Sequence, residues 1–373
     1  MRQIAVYDAL TAGCTQPVRV EELVYRAAEL EPGTLPTREE MEAERERPLA
    51  EKQGLERAQG RWLATVLDEP RTGTHLLETM LRPTDRALEL RDQFVADGEV
   101  DLGQAVVRRE GPAGVLELRN PRHLNAEDGV TLGPTEVAVD LILMHPGIEI
   151  GIFRGGFVDH PRYAGRRVLG AGINLTHLYM GKIDFLFYLI RDFGYVNKLY
   201  RGILNADGTT TEKLWIGAVE EFAIGGHCQL THVVDHVIAV RGSRLYLPAR
   251  KEGIIPGASN LRLPRFVGDR AARQAIMSGR EWVAGEPDAA LLCDEIVAAE
   301  EMDDALAARV QELTSAGLVN AAANRAAIRV GQEPFDLYRQ YMSTYAREQA
   351  DCHLSPALVR NLERNWNANQ RTL

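Results

Sequence analysis

Two glycine-containing turns carry the chemistry most visible in this chain: Ala171-Gly172-Ile173-Asn174 and Ala223-Ile224-Gly225-Gly226-His227-Cys228-Gln229-Leu230. Each follows a run of β-branched or aromatic residues and precedes an apolar, helix-like stretch. The first N–H groups of a helix have no acceptor within it. Glycine lets a ligand come close to such backbone. Two turns of this kind brought together can donate to one oxygen atom, the requirement for stabilising the charge that develops on an acyl oxygen. No acid or base is evident beside either turn.

Other residue types point elsewhere and fall away. His232 and His236 have the i,i+4 spacing of helical zinc ligands, but the metalloprotease pattern needs Glu after the first His and this chain has Val233. Cys228 has no evident base to activate it as a nucleophile. His227 reads as a packing residue. No Walker-type or dinucleotide-binding glycine fingerprint is present, which argues against ATP and NAD.

The elements that must position the turns lie within 373 residues, 45% hydrophobic and 26% charged. That is enough for two domains, or one with extensions, and for a buried core. A net charge of -10 argues against a nucleic-acid surface. Cys14, Cys228, Cys293 and Cys352 lack metal or disulfide spacing and suggest a reducing cytoplasm. The N-terminus lacks the pattern of a signal peptide. The most apolar window, Val137–Met144, is far shorter than the roughly 20 residues of a membrane span.

Three regions follow from the patterning: a charged helical head over 1–103, an αβ middle over 104–285 and a helical tail over 286–373. Within the head, Thr37 to Trp62 reads as a solvated face laced with i,i+4 ion pairs. Gln104–Glu110 and Gly114–Arg119 read as a hairpin across Gly111-Pro112-Ala113. Val130–Met144 reads as a helix ended by His145-Pro146-Gly147. Strands are expected at Ile148–Arg154, Arg167–Leu169, Leu214–Ile224 and Val237–Val240. Helices are expected at Leu175–Met180 and Phe185–Tyr200, and another starts within Gln229–Val234. In the tail, Asp288–Ala307, Val310–Ile328, Phe335–Gln349 and Ala357–Asn369 read as helices.

The middle region resembles the crotonase superfamily of acyl-CoA enzymes. Asn120-Pro121-Arg122-His123-Leu124-Asn125-Ala126 resembles its "RPxxxNAL" segment at the CoA entrance, and Ala171-Gly172-Ile173-Asn174-Leu175 its "AGADL" turn. Ala223–Leu230 is similar to "ALGGGCEL", and Gly253-Ile254-Ile255-Pro256-Gly257 to "GxxPG". The resemblance implies a spiral of ββα units with helical regions at both ends. It also implies an oxyanion hole formed by the backbone N–H groups of Ile173 and Gly226, and assembly through the tail as a trimer or dimer of trimers. Arg122 and Asn174 are then expected at the substrate. Glu127 is expected either to accept hydrogen bonds from substrate ring hydroxyls or to stand as a helix N-terminal glutamate. Arg191, in the apolar run Phe185–Asp192, is expected either to steady a peroxide or substrate or to pair with Asp192 or a subunit neighbour.

Hydratases of this superfamily use two glutamates as acid and base. At those positions stand Gln229 and Ala249. An amide and a methyl group exchange no proton near neutral pH, and acid–base hydration needs groups that do. A retained oxyanion hole without that pair suits a substrate whose α-proton is already acidic, such as an arylacetyl-CoA. Its electron-rich carbanion can react with O2 in a dry pocket, for which Ile173, Leu175, Ala249 and Ile254 would supply the wall. The whole chain, its charged helical head included, with segments such as Leu214–Phe222 and Tyr195–Gly202, is similar to the cofactor-independent arylacetyl-CoA dioxygenases of the superfamily. That likeness implies 3,5-dihydroxyphenylacetyl-CoA and O2 as substrates, an α-keto acid and free CoA as products, and no metal, flavin or haem. A cofactor-free thioesterase and a non-catalytic CoA-binding protein remain the alternatives.

Overall fold

The computed structural model describes residues 2–315 and 317–371. Twelve strands run in chain order: β1 Glu99–Asp101, β2 Ala105–Glu110, β3 Ala113–Leu118, β4 Ile150–Gly155, β5 Ile203–Leu204, β6 Thr210–Thr211, β7 Leu214–Val219, β8 Phe222–Ile224, β9 His236–Val240, β10 Arg244–Tyr246, β11 Glu281–Val283 and β12 Glu295–Val297. Seven form one sheet in the order β1-β2-β3-β4-β7-β9-β12. It is antiparallel through β3 and parallel from β3 onward. A second sheet has the order β11-β10-β8. The β2–β3 hairpin turns at Gly111-Pro112, where Gly111 has φ 61°.

The spiral arises because a strand of the large sheet repeatedly hands the chain to the second sheet and then to a short helix. β7, β8 and the helix Gly226–Leu230 make one such turn; β9, β10 and the helix Ala249–Glu252 make the next. The preceding turn runs from β4 through a single parallel bridge, Gly170 to Ala223, into the helix Leu175–Tyr179. Successive repeats therefore deliver their glycine turns to one ledge.

Several elements depart from expectation for identifiable reasons. Arg167–Leu169 forms no strand and keeps only an isolated bridge, Phe157 to Arg167. Leu214–Ile224 is two strands in two sheets, because Glu221 adopts φ 61° and redirects the chain. Phe185–Tyr200 is two helices, Leu186–Phe193 and Tyr195–Arg201, broken at Gly194. A Cβ there would stand 2.6 Å from the Ile190 carbonyl oxygen and 3.0 Å from Glu136 Oε1. The second glycine turn opens its helix at Gly226 rather than near Gln229. Asp288–Ala307 is not one helix but contains β12, which pairs on one side only, with β9.

Between Thr37 and Trp62 the charged side chains Arg38, Glu39, Glu40, Glu42, Glu46 and Arg47 are exposed, as expected of a solvated face, but the inner side of the segment is packed. Met41, Leu49, Trp62, Glu44, Glu56 and Gln59 are buried, and the one i,i+4 pair between Thr37 and Trp62, Lys52–Glu56 at 2.7 Å, is itself fully buried. The helix Glu56–Asp68 lies against the tail helix Phe335–His353 so closely that a Cβ at Gly60 would stand 2.8 Å from the Ala346 carbonyl oxygen. A hydrophobic cluster joins residues from Val6 to Ala368, and two smaller clusters lie apart from it, one of them between the large sheet and the helix Met302–Ser315. No helix among the described residues is long and apolar enough to cross a membrane.

Candidate active site

The two glycine turns touch. A Cβ at Gly172 (φ 78°) would stand 3.2 Å from the Gly226 nitrogen and 3.3 Å from the Gly225 Cα. The Glu127 N–H donates to the Gly172 oxygen and the Asn174 N–H to the Glu127 oxygen, both at 2.7 Å. That bracket grips the backbone on either side of Ile173 and leaves Ile173's own N–H outside the ladder. Gly226 is the first residue of its helix, so its N–H has no intrahelical acceptor either. Among the described residues, neither N–H meets an acceptor.

His227 braces the pair. Its Nδ1 accepts from the Gly172 N–H at 3.0 Å, and burial pushes its pKa down to about 4, so the ring is neutral near pH 7. The residue read as packing is a cross-link between the turns.

Ile173 and Gly226 both line one cavity, of about 40 Å³. Ile173, Ala249, Ile254, Phe187 and Pro248 supply apolar wall, and Tyr345 reaches in from the tail. Leu175 does not line it and packs against the core instead. Asn174 does not line it either. Its Oδ1 caps the helix Leu175–Tyr179 through the His177 N–H at 3.2 Å, and its Nδ2 donates to Asp128 at 3.1 Å, so both ends of the amide are spent on structure. Arg122 lies in a separate surface hollow with Arg119, His123 and Phe157.

Carboxylates do stand beside the turns, contrary to the sequence reading. They come from distant segments that spacing does not connect. Glu127 precedes the helix Leu132–Met144 by a loop and is no helix N-terminal residue. Its Oε1 accepts from Arg191 Nε at 2.7 Å and from the Tyr195 hydroxyl. Its Oε2 has no partner among the described residues, and a Cβ on Gly226 would collide with it. Arg191 also donates to Asp192 Oδ1 and Gln229 Oε1, both at 2.9 Å, and to the Gly226 carbonyl at 2.7 Å. Of the two expectations for Arg191 the structure shows the pair with Asp192, and it adds a contact the sequence did not suggest, with the second turn and Gln229.

The charges follow from these contacts. Burial opposes charge on Arg191, but Glu127, Tyr195 and Asp192 outweigh it and hold its pKa well above the ordinary arginine value. Burial pulls Glu127 upward, yet the charge of Arg191 and the hydrogen bonds from Arg191 and Tyr195 outweigh that and leave it below the ordinary glutamate range, hence ionised near pH 7. For Asp192, burial outweighs Arg191 and Arg262 and raises the pKa. Glu252, at the end of the helix Ala249–Glu252, is lifted to about 7 by burial. Cys228 is fully buried and its thiol is pushed up by burial, which makes it a poor nucleophile. His232 bonds Ser259 at 3.1 Å, and His236 lies in β9 near Asp294 and Glu295 rather than on a helix with it.

Sequence reasoning missed Glu252, Tyr195 and Tyr345. Glu252 was accessible through its i,i+3 relation to Ala249, which puts both on one face of a helix. Tyr345 reaches the cavity only through the packing of the tail, for which no local signal exists.

Known proteins match this chain in sequence, and solved structures match its fold. Residues 195–347 match the family described as enoyl-CoA hydratase/isomerase. A (3,5-dihydroxyphenyl)acetyl-CoA 1,2-dioxygenase from Amycolatopsis orientalis is 46% identical over 350 residues, covering 92% of this chain and 80% of that protein. A probable enoyl-CoA hydratase from Rhizobium meliloti (strain 1021) is 27% identical over 54% of this chain and 72% of its own length. Among solved structures, an enoyl-CoA hydratase/isomerase from Xanthobacter autotrophicus Py2 superposes with TM-score 0.59 at 18% identity, covering 72% of this chain and 96% of that one. A carnitinyl-CoA hydratase from Mycobacterium avium does so with TM-score 0.57 at 20% identity, covering 73% and 99%.

Proposed function

We propose, from the premise that this chain belongs to the crotonase (enoyl-CoA hydratase/isomerase) family, that it is a cofactor-independent dioxygenase. Its substrates are 3,5-dihydroxyphenylacetyl-CoA and O2, and its products are 3,5-dihydroxyphenylglyoxylate and free CoA. The observation that carries this reading is the reach of the dioxygenase likeness through 92% of the chain, head and tail included, where the hydratase from Rhizobium meliloti matches 54%. The site supports it. Gln229 and Ala249 occupy the hydratase acid–base positions, while two unpartnered N–H groups remain at Ile173 and Gly226.

The thioester oxygen sits between those N–H groups, so loss of a proton from the α-carbon leaves an enolate held by preorganised donors. Arg191 keeps the Gly226 turn and Gln229 in place. The free Oε2 of ionised Glu127 accepts from a ring hydroxyl. Oxygen adds at the α-carbon against the wall of Ile173, Ala249 and Ile254. The resulting peroxide attacks the thioester carbonyl, the C–S bond breaks and CoA leaves. The O–O bond then cleaves as the second α-hydrogen departs as a proton, giving the α-keto acid. No metal, flavin or haem takes part. The CoA nucleotide lies toward Arg122 at the outer hollow.

The chain works in the cytoplasm as a trimer or dimer of trimers, with a helical head, a CoA-binding middle and an assembling tail. Four free cysteines agree with a reducing compartment. Purified protein given 3,5-dihydroxyphenylacetyl-CoA in an oxygen electrode cell, with a chelator and no added cofactor, is expected to consume one O2 per CoA released. CoA release without oxygen consumption identifies a thioesterase instead. Binding without either identifies a non-catalytic CoA-binding protein.

A further inference from the structure

Of the three carboxylates lining the cavity, two are committed. Glu127 and Asp192 both pair with Arg191. Glu252 meets no cation and no hydrogen-bond donor at its carboxylate among the described residues, although it is only 8% exposed. Its place in the fold is specific. In the helix Ala249–Glu252, Arg250 and Lys251 face solvent while Ala249 and Glu252 are buried and both line the cavity. An i,i+3 step keeps two residues on one helix face. The carboxylate thus projects into the same cavity as the Ala249 methyl, one turn further along.

The neighbours of Glu252 offer it no counter-charge. Tyr188, on Leu186–Phe193, and Tyr246, on β10, are the titratable groups that face it. Burial raises the pKa of both, so both are neutral in the working range. From the tail, Asn361 bonds only the main-chain oxygen of Glu252 at 3.4 Å, and Gln349 bonds the Ile255 N–H at 2.8 Å. A buried carboxylate left without a partner costs free energy. Such groups collect at sites that use their proton equilibrium.

We propose that Glu252 is the base that removes the α-proton of the bound arylacetyl thioester and the acid that returns it to the departing CoA thiolate. This rests on the oxygenase reading of the site. The carboxylate takes one α-hydrogen as a proton, and the C–H electron pair becomes the enolate whose oxygen lies at Ile173 and Gly226. After O2 has added and the peroxide has attacked the carbonyl, the C–S bond breaks. The thiolate takes the proton from Glu252, which restores the carboxylate. The second α-hydrogen leaves to solvent as the O–O bond breaks. The sum is thioester plus O2 giving α-keto carboxylate, CoA thiol and one proton. A pKa of about 7 suits a group that must both accept and release a proton near neutrality.

The test compares wild type with Glu252→Gln and Glu252→Asp in two assays across neutral pH: oxygen uptake with 3,5-dihydroxyphenylacetyl-CoA, and anaerobic exchange of its α-hydrogens in D2O followed by NMR. Wild-type exchange should rise with pH through about 7. Glu252→Gln should lose exchange and uptake by about 10²–10⁴-fold, together with that pH limb, while CoA binding by calorimetry stays unchanged. The amide has the shape of the carboxylic acid and removes an unpaired buried charge, so the fold should hold. Should it not, Glu252→Asp decides. The shorter acid should keep the pH limb at a rate about 10-fold or more below wild type. Exchange within about threefold of wild type in either variant, with the same pH dependence, overturns the proposal. If wild type consumes no oxygen and exchanges no hydrogen, the oxygenase reading itself has failed.

Discussion

At the residue scale, the site depends on two glycines being nothing more than glycine. Glu127 Oε2 and Arg191 Nη2 both crowd the position that a Cβ on Gly226 would take. A methyl group there must displace one of them, and with it the direction of the Gly226 N–H. Gly226→Ala is therefore expected to cut kcat for oxygen uptake by about 10²–10³-fold, the usual cost of losing one donor to a developing oxyanion. The far-UV circular dichroism should be retained. A variant with wild-type kcat would show that this N–H does not meet the reacting oxygen. Much of this neighbourhood was legible in the sequence: the turns, Gln229, Ala249 and the wall residues Ile173 and Ile254 all face the cavity. Asn174 and Leu175 were misplaced because a glycine turn signals where the backbone bends, not which way the following side chains point. Asn174 is drawn off to cap its helix, as Asn at such a position commonly is.

At the element scale, the repeat of strand, strand and helix was harder to read than its turns. Strands of two or three residues, such as β8, β10 and β11, carry too few positions for a period-2 signal to emerge. The helix Phe335–His353 shows what the head contributes. Tyr188, which lines the cavity, contacts His353 Nδ1 at 3.2 Å. The other ring nitrogen of His353 lies 3.1 Å from Glu56, and Glu56 pairs with Lys52. Burial pulls Glu56 upward, but His353 and Lys52 outweigh it and depress its pKa from 4.5 to about 2. A depressed carboxylate stabilises the fold above its unfolded pKa and loses that contribution as pH falls toward the folded value. Thermal stability should therefore decline on acidification from about pH 4.5 toward 2. In Glu56→Gln, which is less stable at neutral pH, that part of the decline should shrink by roughly 3 kcal/mol. Calorimetry at a series of pH values measures the difference, and identical acid profiles would show that Glu56 is not held by these partners.

At the scale of the whole molecule, head, middle and tail share one core, and the tail also closes the cavity through Tyr345. The helix Leu318–Gln332 is attached in an unusual way. Its inward residues are arginines: Arg325 donates to the Leu199 carbonyl at 2.7 Å, and Arg329 to the Tyr200 carbonyl at 3.0 Å. Its outward residues include Val319 and Val330, exposed by 88% and 74%. Their spacing brings them back to one face after three turns of a 3.6-residue period. An apolar stripe turned to water on a helix anchored by its polar side is the inverse of a surface helix, and it gains free energy by meeting another apolar surface. A second copy of the chain is the partner that agrees with the assembly proposed above. Light scattering coupled to size exclusion should find the wild type as a trimer or dimer of trimers. The double variant Val319→Glu, Val330→Glu should dissociate toward the monomer, because burying two carboxylates without partners costs several kcal/mol per subunit. Oxygen uptake per chain then reports whether the cavity, closed within one chain by Tyr345, needs its neighbours. An unchanged mass for the double variant would move the interface off this helix.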